Sequence, residues 1–112
     1  MTDKIVILCT CSGADEAARL ARSLVEARLA ACVSVIPQVR SYYRWNGALE
    51  SAEECLLAIK SSRTLFDALL AHLSKAHSYE VPEILALPVV EGSKNYLAWM
   101  DSNLGGAEEN AG

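Results

Sequence analysis

Arg40–Glu50 reads RSYYRWNGALE, and the reading of this stretch decides the fold. Asn46-Gly47 at its centre is the strongest short-range signal of a β-hairpin, because a type I′ turn needs positive φ at both central residues. Upstream, Val33, Val35, Val39, Ser41, Tyr43 and Trp45 occupy alternate positions of a β-rich run that starts near Ala31. Downstream, Leu49 through Ile59 reads as the returning arm. Each arm is roughly 13 residues, or about 43 Å at about 3.3 Å per residue. A compact domain of about 100 residues spans only roughly 35 Å. The ribbon therefore overhangs its own domain. Carrying Tyr42, Tyr43 and Trp45, it offers apolar surface and an unpaired edge, which soluble proteins bury against something. The residues predict an obligate oligomer with those three aromatics at the joint.

The 112 residues, 52% hydrophobic and 21% charged, suffice for a single domain with a real core. We place that domain at residues 1–104 and expect a disordered tail over residues 105–112, which carries no apolar anchor. Net charge is −4 and the pI about 5.1, with the basic residues scattered, so no nucleic-acid surface is indicated. The longest apolar run falls far short of the roughly 20 residues that span a bilayer, so no membrane partner is expected. The opening MTDKIVILCTCSGADE imitates a signal peptide, but its apolar stretch Ile5–Leu8 is too short and Asp15-Glu16 follows. It reads as a first strand. By count, Cys9, Cys11, Cys32 and Cys55 allow two disulfides; without a secretory signal they read as free thiols in a reducing cytoplasm.

The first strand is Lys4–Cys11, ended by Ser12-Gly13. Ser12 and Asp15 resemble a capping box, and a helix follows to about Leu29 with Ala17, Leu20, Ala21, Leu24 and Ala27 at helical spacing. Pro37 cannot donate to a ladder, so a bulge or unpaired edge is expected in the second strand. A second helix starts near Thr64 and carries Leu65, Phe66, Leu69, Leu70 and Leu73. Val81-Pro82 forces an extended entry to a fourth strand, Glu83–Val90. Ser93 or Asn95 caps a short terminal helix whose apolar face is Tyr96, Leu97, Met100 and Leu104. The order β-α-β-β-α-β is that of an α+β, ferredoxin-like sandwich with two helices on one sheet face. Its other face is apolar too and needs a second partner, most simply another copy of the chain.

In this topology the end of the first strand (Cys9, Thr10, Cys11), the end of the second helix (His77) and the hairpin tip share one end of the domain. Cys9 and Cys11 point to one sheet face. Thiolate plus imidazole is a donor set that copper or zinc prefers, although the spacing is not that of a zinc ribbon. Each residue also has a plain structural role. Cys9, Cys32 and Cys55 sit among apolar strand residues as small hydrophobes. His77 can complement the helix dipole and bond the last carbonyls, and His72 reads as solvated. Of Glu53 and Glu54, one faces outward by alternation. Trp45 and the tyrosines read as interface packing before a ligand cage. There is no GxSxG, P-loop, GxGxxG or HExxH, so nothing argues for an enzyme.

Leu29–Val33 (LAACV), Ser41–Gly47 (SYYRWNG), Ile59–Ser61 (IKS), His77–Ile84 (HSYEVPEI) and Tyr96–Trp99 (YLAW) resemble segments of the CutA divalent-cation-tolerance family, in register from about residue 4 to 104. The resemblance implies a ferredoxin-like subunit in a homotrimer held by hairpins that reach neighbours. It also implies a likeness to PII signalling trimers, which bind small ligands between subunits. Here such a cleft would be lined by Trp45, Lys60, Tyr79 and Glu83. It implies metal tolerance in the bacterial cytoplasm, copper above all, with ligands at a cysteine ending the first strand and a His-His pair closing the second helix. Cys9 and His77 match; the first histidine is Ala76 and the following proline is Ser78. Cys11 lies outside that pattern and could substitute only by its geometry.

Overall fold

The computed structural model describes residues 1–105. In chain order it forms β1 (Lys4–Cys11), α1 (Ala14–Glu26), β2 (Cys32–Trp45), β3 (Ala48–Ser62), a 3₁₀ turn (Arg63–Leu65), α2 (Phe66–Ala76), β4 (Leu85–Pro88) and α3 (Lys94–Asn103). The four strands make one antiparallel sheet in the order β2-β3-β1-β4. Because strand side chains alternate, the odd-numbered residues of β1 and β3 share a face. Ile5, Ile7, Cys9, Cys11, Cys55, Leu57 and Ile59 form one cluster there with Ala17, Leu20 and Leu24 of α1 and Leu69 and Leu73 of α2. Fully burying a side chain such as Ile7 or Leu20 stabilises by about 1.5–3 kcal/mol, which makes this helix-covered face the core. On the opposite face Ile36, Leu85 and Leu87 remain exposed.

The overhang is present. β1 pairs β3 only from Cys55 to Ser62, whereas the β2–β3 ladder continues from Val39/Glu54 to Trp45/Ala48. Seven residues of β3 beyond Cys55, about 23 Å at about 3.3 Å each, thus have β2 on one side and, among the described residues, no third strand on the other. The molecule measures 49 × 28 × 21 Å. The turn is built as its residues dictate, with φ of 51° at Asn46 and 80° at Gly47. At Pro37 the register shifts between Ile36 and Val39, and Gln38 takes φ 61°, so the expected bulge is there.

Several boundaries differ from the sequence reading. The first helix stops at Glu26, because Arg28 turns to φ 60° and the N–H groups of Arg28, Leu29 and Ala30 close onto Val25 O and Leu24 O. The expected capping box is not formed: the N-cap of α1 is Gly13, without a side-chain cap, and the acid that Ser12 N bonds, at 3.0 Å, is Glu16 rather than Asp15. Thr64 lies in the 3₁₀ turn and α2 begins at Phe66. β4 is half the expected length, although Val89 N still donates to Lys4 O at 3.0 Å. Ser93 caps α3, accepting from Tyr96 N at 3.2 Å, and Met100 and Leu104 are buried against Ala31. Of the tail expected to be disordered, Gly105 is held by its N–H to Arg28 O at 2.7 Å. Residues 106–112 lie outside the described residues.

Candidate functional site

β1 ends where α2 ends, and this brings His77 beside the β1 backbone. His77 is the residue after the last turn of α2, and its side chain is fully buried. Tyr79 N donates to His77 Nδ1 at 3.0 Å, which leaves the ring proton on Nε2, donating to Thr10 O at 2.8 Å. The imidazole therefore ties α2 to β1 instead of capping helix carbonyls, and both of its nitrogens are engaged. His72, expected to be solvated, is half-buried and lies 3.0 Å from Ser23 Oγ of α1.

The thiols sit on the core face. Cys9 Sγ donates to Thr10 O at 3.7 Å and Cys11 Sγ to Gly13 O at 3.8 Å. Burial first, and nearby acidic groups after it, push Cys9 up to about 12. Burial pushes Cys11 up to about 11 against the bond to Gly13 O. Burial thus keeps both thiols protonated in the metal-free protein, and a soft metal, which takes the thiolate, would have to displace those protons. Among the described residues no group of three or more His, Cys, Asp and Glu is arranged to hold an ion. Cys9, Cys11 and His77 are neighbours at one end of the fold, but in this arrangement they do not fit a copper ion.

Glu16 is the residue that organises this end, and it was missed in the sequence. Its carboxylate, 6% exposed, accepts Ser12 Oγ at 2.8 Å, Ser78 N at 2.7 Å and Ser78 Oγ at 2.9 Å, besides Ser12 N. Arg19 Nη2 adds a contact at 3.3 Å and spans to Ala76 O through Nη1 at 3.0 Å. Burial alone would raise the Glu16 carboxyl, but the bonds from Ser12 and Ser78 outweigh it and hold it down to about 2. Ser78 stands where the sequence resemblance implies a proline, and its N–H and hydroxyl are what a proline lacks.

Beside this anchor the overhanging hairpin and the segment after α2 enclose a cleft of about 340 Å³. Tyr43 and Trp45 line it from β2, Glu54 from β3, Thr10 from β1, and Tyr79, Glu80, Val81 and Glu83 from the connection to β4. Of the cleft residues expected from the sequence, Trp45, Tyr79 and Glu83 meet here. Lys60 does not: it pairs with Cys32 and Val6 farther along the sheet and donates to Ser34 Oγ at 2.5 Å. Alternation resolves the two acids: Glu53 faces outward, 3.8 Å from Arg40, and Glu54 is 7% exposed, accepting Tyr79 Oη at 2.6 Å. Tyr42 lies on the opposite face of the ribbon from Tyr43 and Trp45 and is 70% exposed.

Residues 5–103 match the family described as CutA1 divalent ion tolerance protein. The chain is 47% identical over 104 residues to a divalent-cation tolerance protein CutA of Pectobacterium atrosepticum, covering 93% of this chain and 94% of that one. Its structure is similar to that of the divalent cation tolerance protein Cut A1 from Thermus thermophilus, with a TM-score of 0.89, 41% identity, and 91% and 99% of the two chains covered. It is also similar to the periplasmic divalent cation tolerance protein CutA from Archaeoglobus fulgidus, with a TM-score of 0.87, 34% identity, and 89% and 97% covered.

Proposed function

The chain belongs to the CutA1 divalent ion tolerance protein family, and from that premise we propose that it serves tolerance of divalent metal ions, copper foremost, as a homotrimer in the cytoplasm. The observation that carries the assembly is the ribbon beyond Cys55, flanked by β2 alone and bearing exposed Tyr42, Tyr43 and Trp45. In this reading each ferredoxin-like subunit extends its hairpin onto a neighbour and buries those rings. Four free cysteines support a reducing compartment. No catalytic step is assigned.

Cys9, Cys11 and His77 remain the copper ligands to test, because they stand together at one end of the fold. The closed geometry resists ligation, since His77 would have to release Thr10 O and a thiol would have to ionise. Titration of the reduced, metal-free protein with copper against a competing chelator decides the matter. Stoichiometric uptake that Cys9→Ser and His77→Ala abolish would show that this end of the fold opens to take the ion. No uptake by the wild type would remove direct copper ligation from the function.

A second reading is favoured by the cleft, where Trp45, Tyr79 and Glu83 converge around about 340 Å³. Here the protein is a small-molecule sensor of the PII kind with its ligand between subunits. A metabolite that binds the folded assembly raises its melting temperature by mass action. A thermal-shift screen in which copper alone scores would contradict it.

A further inference from the structure

We propose that the cleft between the hairpin and the segment after α2 binds an organic ammonium cation, with Glu54 as its counter-charge and Trp45, Tyr43 and Tyr79 as its aromatic walls. The inference rests on the second reading, that the cleft is a ligand site, and names the ligand's chemistry. Its starting point is Glu54. This residue is only 7% exposed, yet among the described residues no lysine, arginine or histidine pairs with its carboxylate. Its hydrogen bond is from a neutral phenol, Tyr79 Oη, to Oε2 at 2.6 Å. A buried carboxylate without a cation is a costly arrangement, and removing that cost is a source of affinity for a positive ligand.

The rest of the cleft has the same sign. Glu80 and Glu83 line it, and none of its lining residues is basic. The residues this chain supplies therefore disfavour anionic ligands such as nucleotides or carboxylates. The walls distinguish among cations. A hard divalent ion takes six or more oxygen ligands, and no such cluster exists among the described residues. Aromatic faces instead attract alkylated ammonium groups through the ring quadrupole, strongly when the site is desolvated. Trp45 and Tyr43 stand on the same ribbon face as Glu54. The cleft volume suits a small amine rather than a macromolecule.

The test uses the assembled protein in a Trp99→Phe background, so that fluorescence reports Trp45 alone. Tetramethylammonium should give a saturable change, and tert-butanol, a neutral molecule of nearly the same size, should give none. Glu54→Gln, which keeps an acceptor for Tyr79, should weaken tetramethylammonium binding at least tenfold. If that variant fails to fold, the double change Glu80→Gln and Glu83→Gln should weaken binding several-fold. Equal binding of both probes overturns the cation inference and leaves the cleft reading standing. So does a metabolite hit in the thermal-shift screen that Glu54→Gln does not weaken. Absence of tetramethylammonium binding overturns the inference, and if Glu54→Gln then dissociates the assembly, a basic side chain of a second copy fills the cleft. Uptake of Mg²⁺ or Cu²⁺ in place of tetramethylammonium also overturns it.

Discussion

Tyr79 donates its phenol to Glu54 Oε2 at 2.6 Å, fastening the segment after α2 to the β3 arm of the hairpin. Burial and then the Glu54 carboxylate raise the phenol well above its ordinary range, so it remains a donor at physiological pH. Both residues line the cleft. Tyr79→Phe removes the bond while keeping the ring, and should destabilise the fold by about 1–2 kcal/mol, as for a hydrogen bond to a charged group in a half-buried site. Denaturant midpoints check this. An unchanged midpoint would mean that the bond does not hold the two segments together.

Glu16 ties α1 to Ser78 across the chain, and its folded carboxyl lies at about 2 against an ordinary 4.5. A depressed carboxyl stabilises the fold fully above pH 4.5, and that contribution is lost as pH falls from 4.5 to about 2. At about 1.36 kcal/mol per pH unit the contribution is about 3 kcal/mol. Glu16→Gln should be less stable at neutral pH and should flatten the stability profile in that window. Parallel profiles for wild type and variant would show that Glu16 is not the group responsible.

Much of this fold is legible in the chain because its signals are local. Asn46-Gly47 supplies the turn, alternation supplies the ribbon, and Pro37 supplies the bulge. Misplaced features depend on distant contacts. The end of α1 is set by Arg28 at positive φ, whose carbonyl accepts Gly105 N and whose Nη2 donates to Ser102 O at 2.9 Å, and helical spacing carries no trace of this. Glu16 could be read only as an acid in a first turn, because its partner Ser78 is 62 positions away. Alternation put Cys9 and Cys11 on one face correctly, but it does not tell which face the helices cover. Lys60 shares a sheet face with the cleft residues; depth along a strand decides that it lies outside.

Gly47 adopts φ 80°, and a Cβ added there would meet nothing within 4 Å. The effect of Gly47→Ala is therefore conformational, about 1 kcal/mol for placing an L side chain in the left-handed region. The loss should appear in the stability of the hairpin, read by amide exchange of residues in the overhanging arms. Unchanged protection there would contradict a type I′ turn as the determinant of the ribbon.

Trp45 and Tyr43 each remain about half exposed, and in the proposed assembly a neighbour covers the part of each ring that does not line the cleft. Trp45→Ala or Tyr43→Ala should weaken the assembly by about 3–5 kcal/mol per site, as truncation of a buried aromatic commonly does. Subunit dissociation on dilution checks this.

The hairpin as the joint between copies of this chain is tested most directly by the intact mass of the native, reduced protein beside that of Trp45→Ala. The wild type should appear at three times the 12.1 kDa chain mass, and the variant should shift toward single chains. A wild-type protein that stays a monomer at micromolar concentration, or a variant that assembles as tightly as the parent, would contradict it.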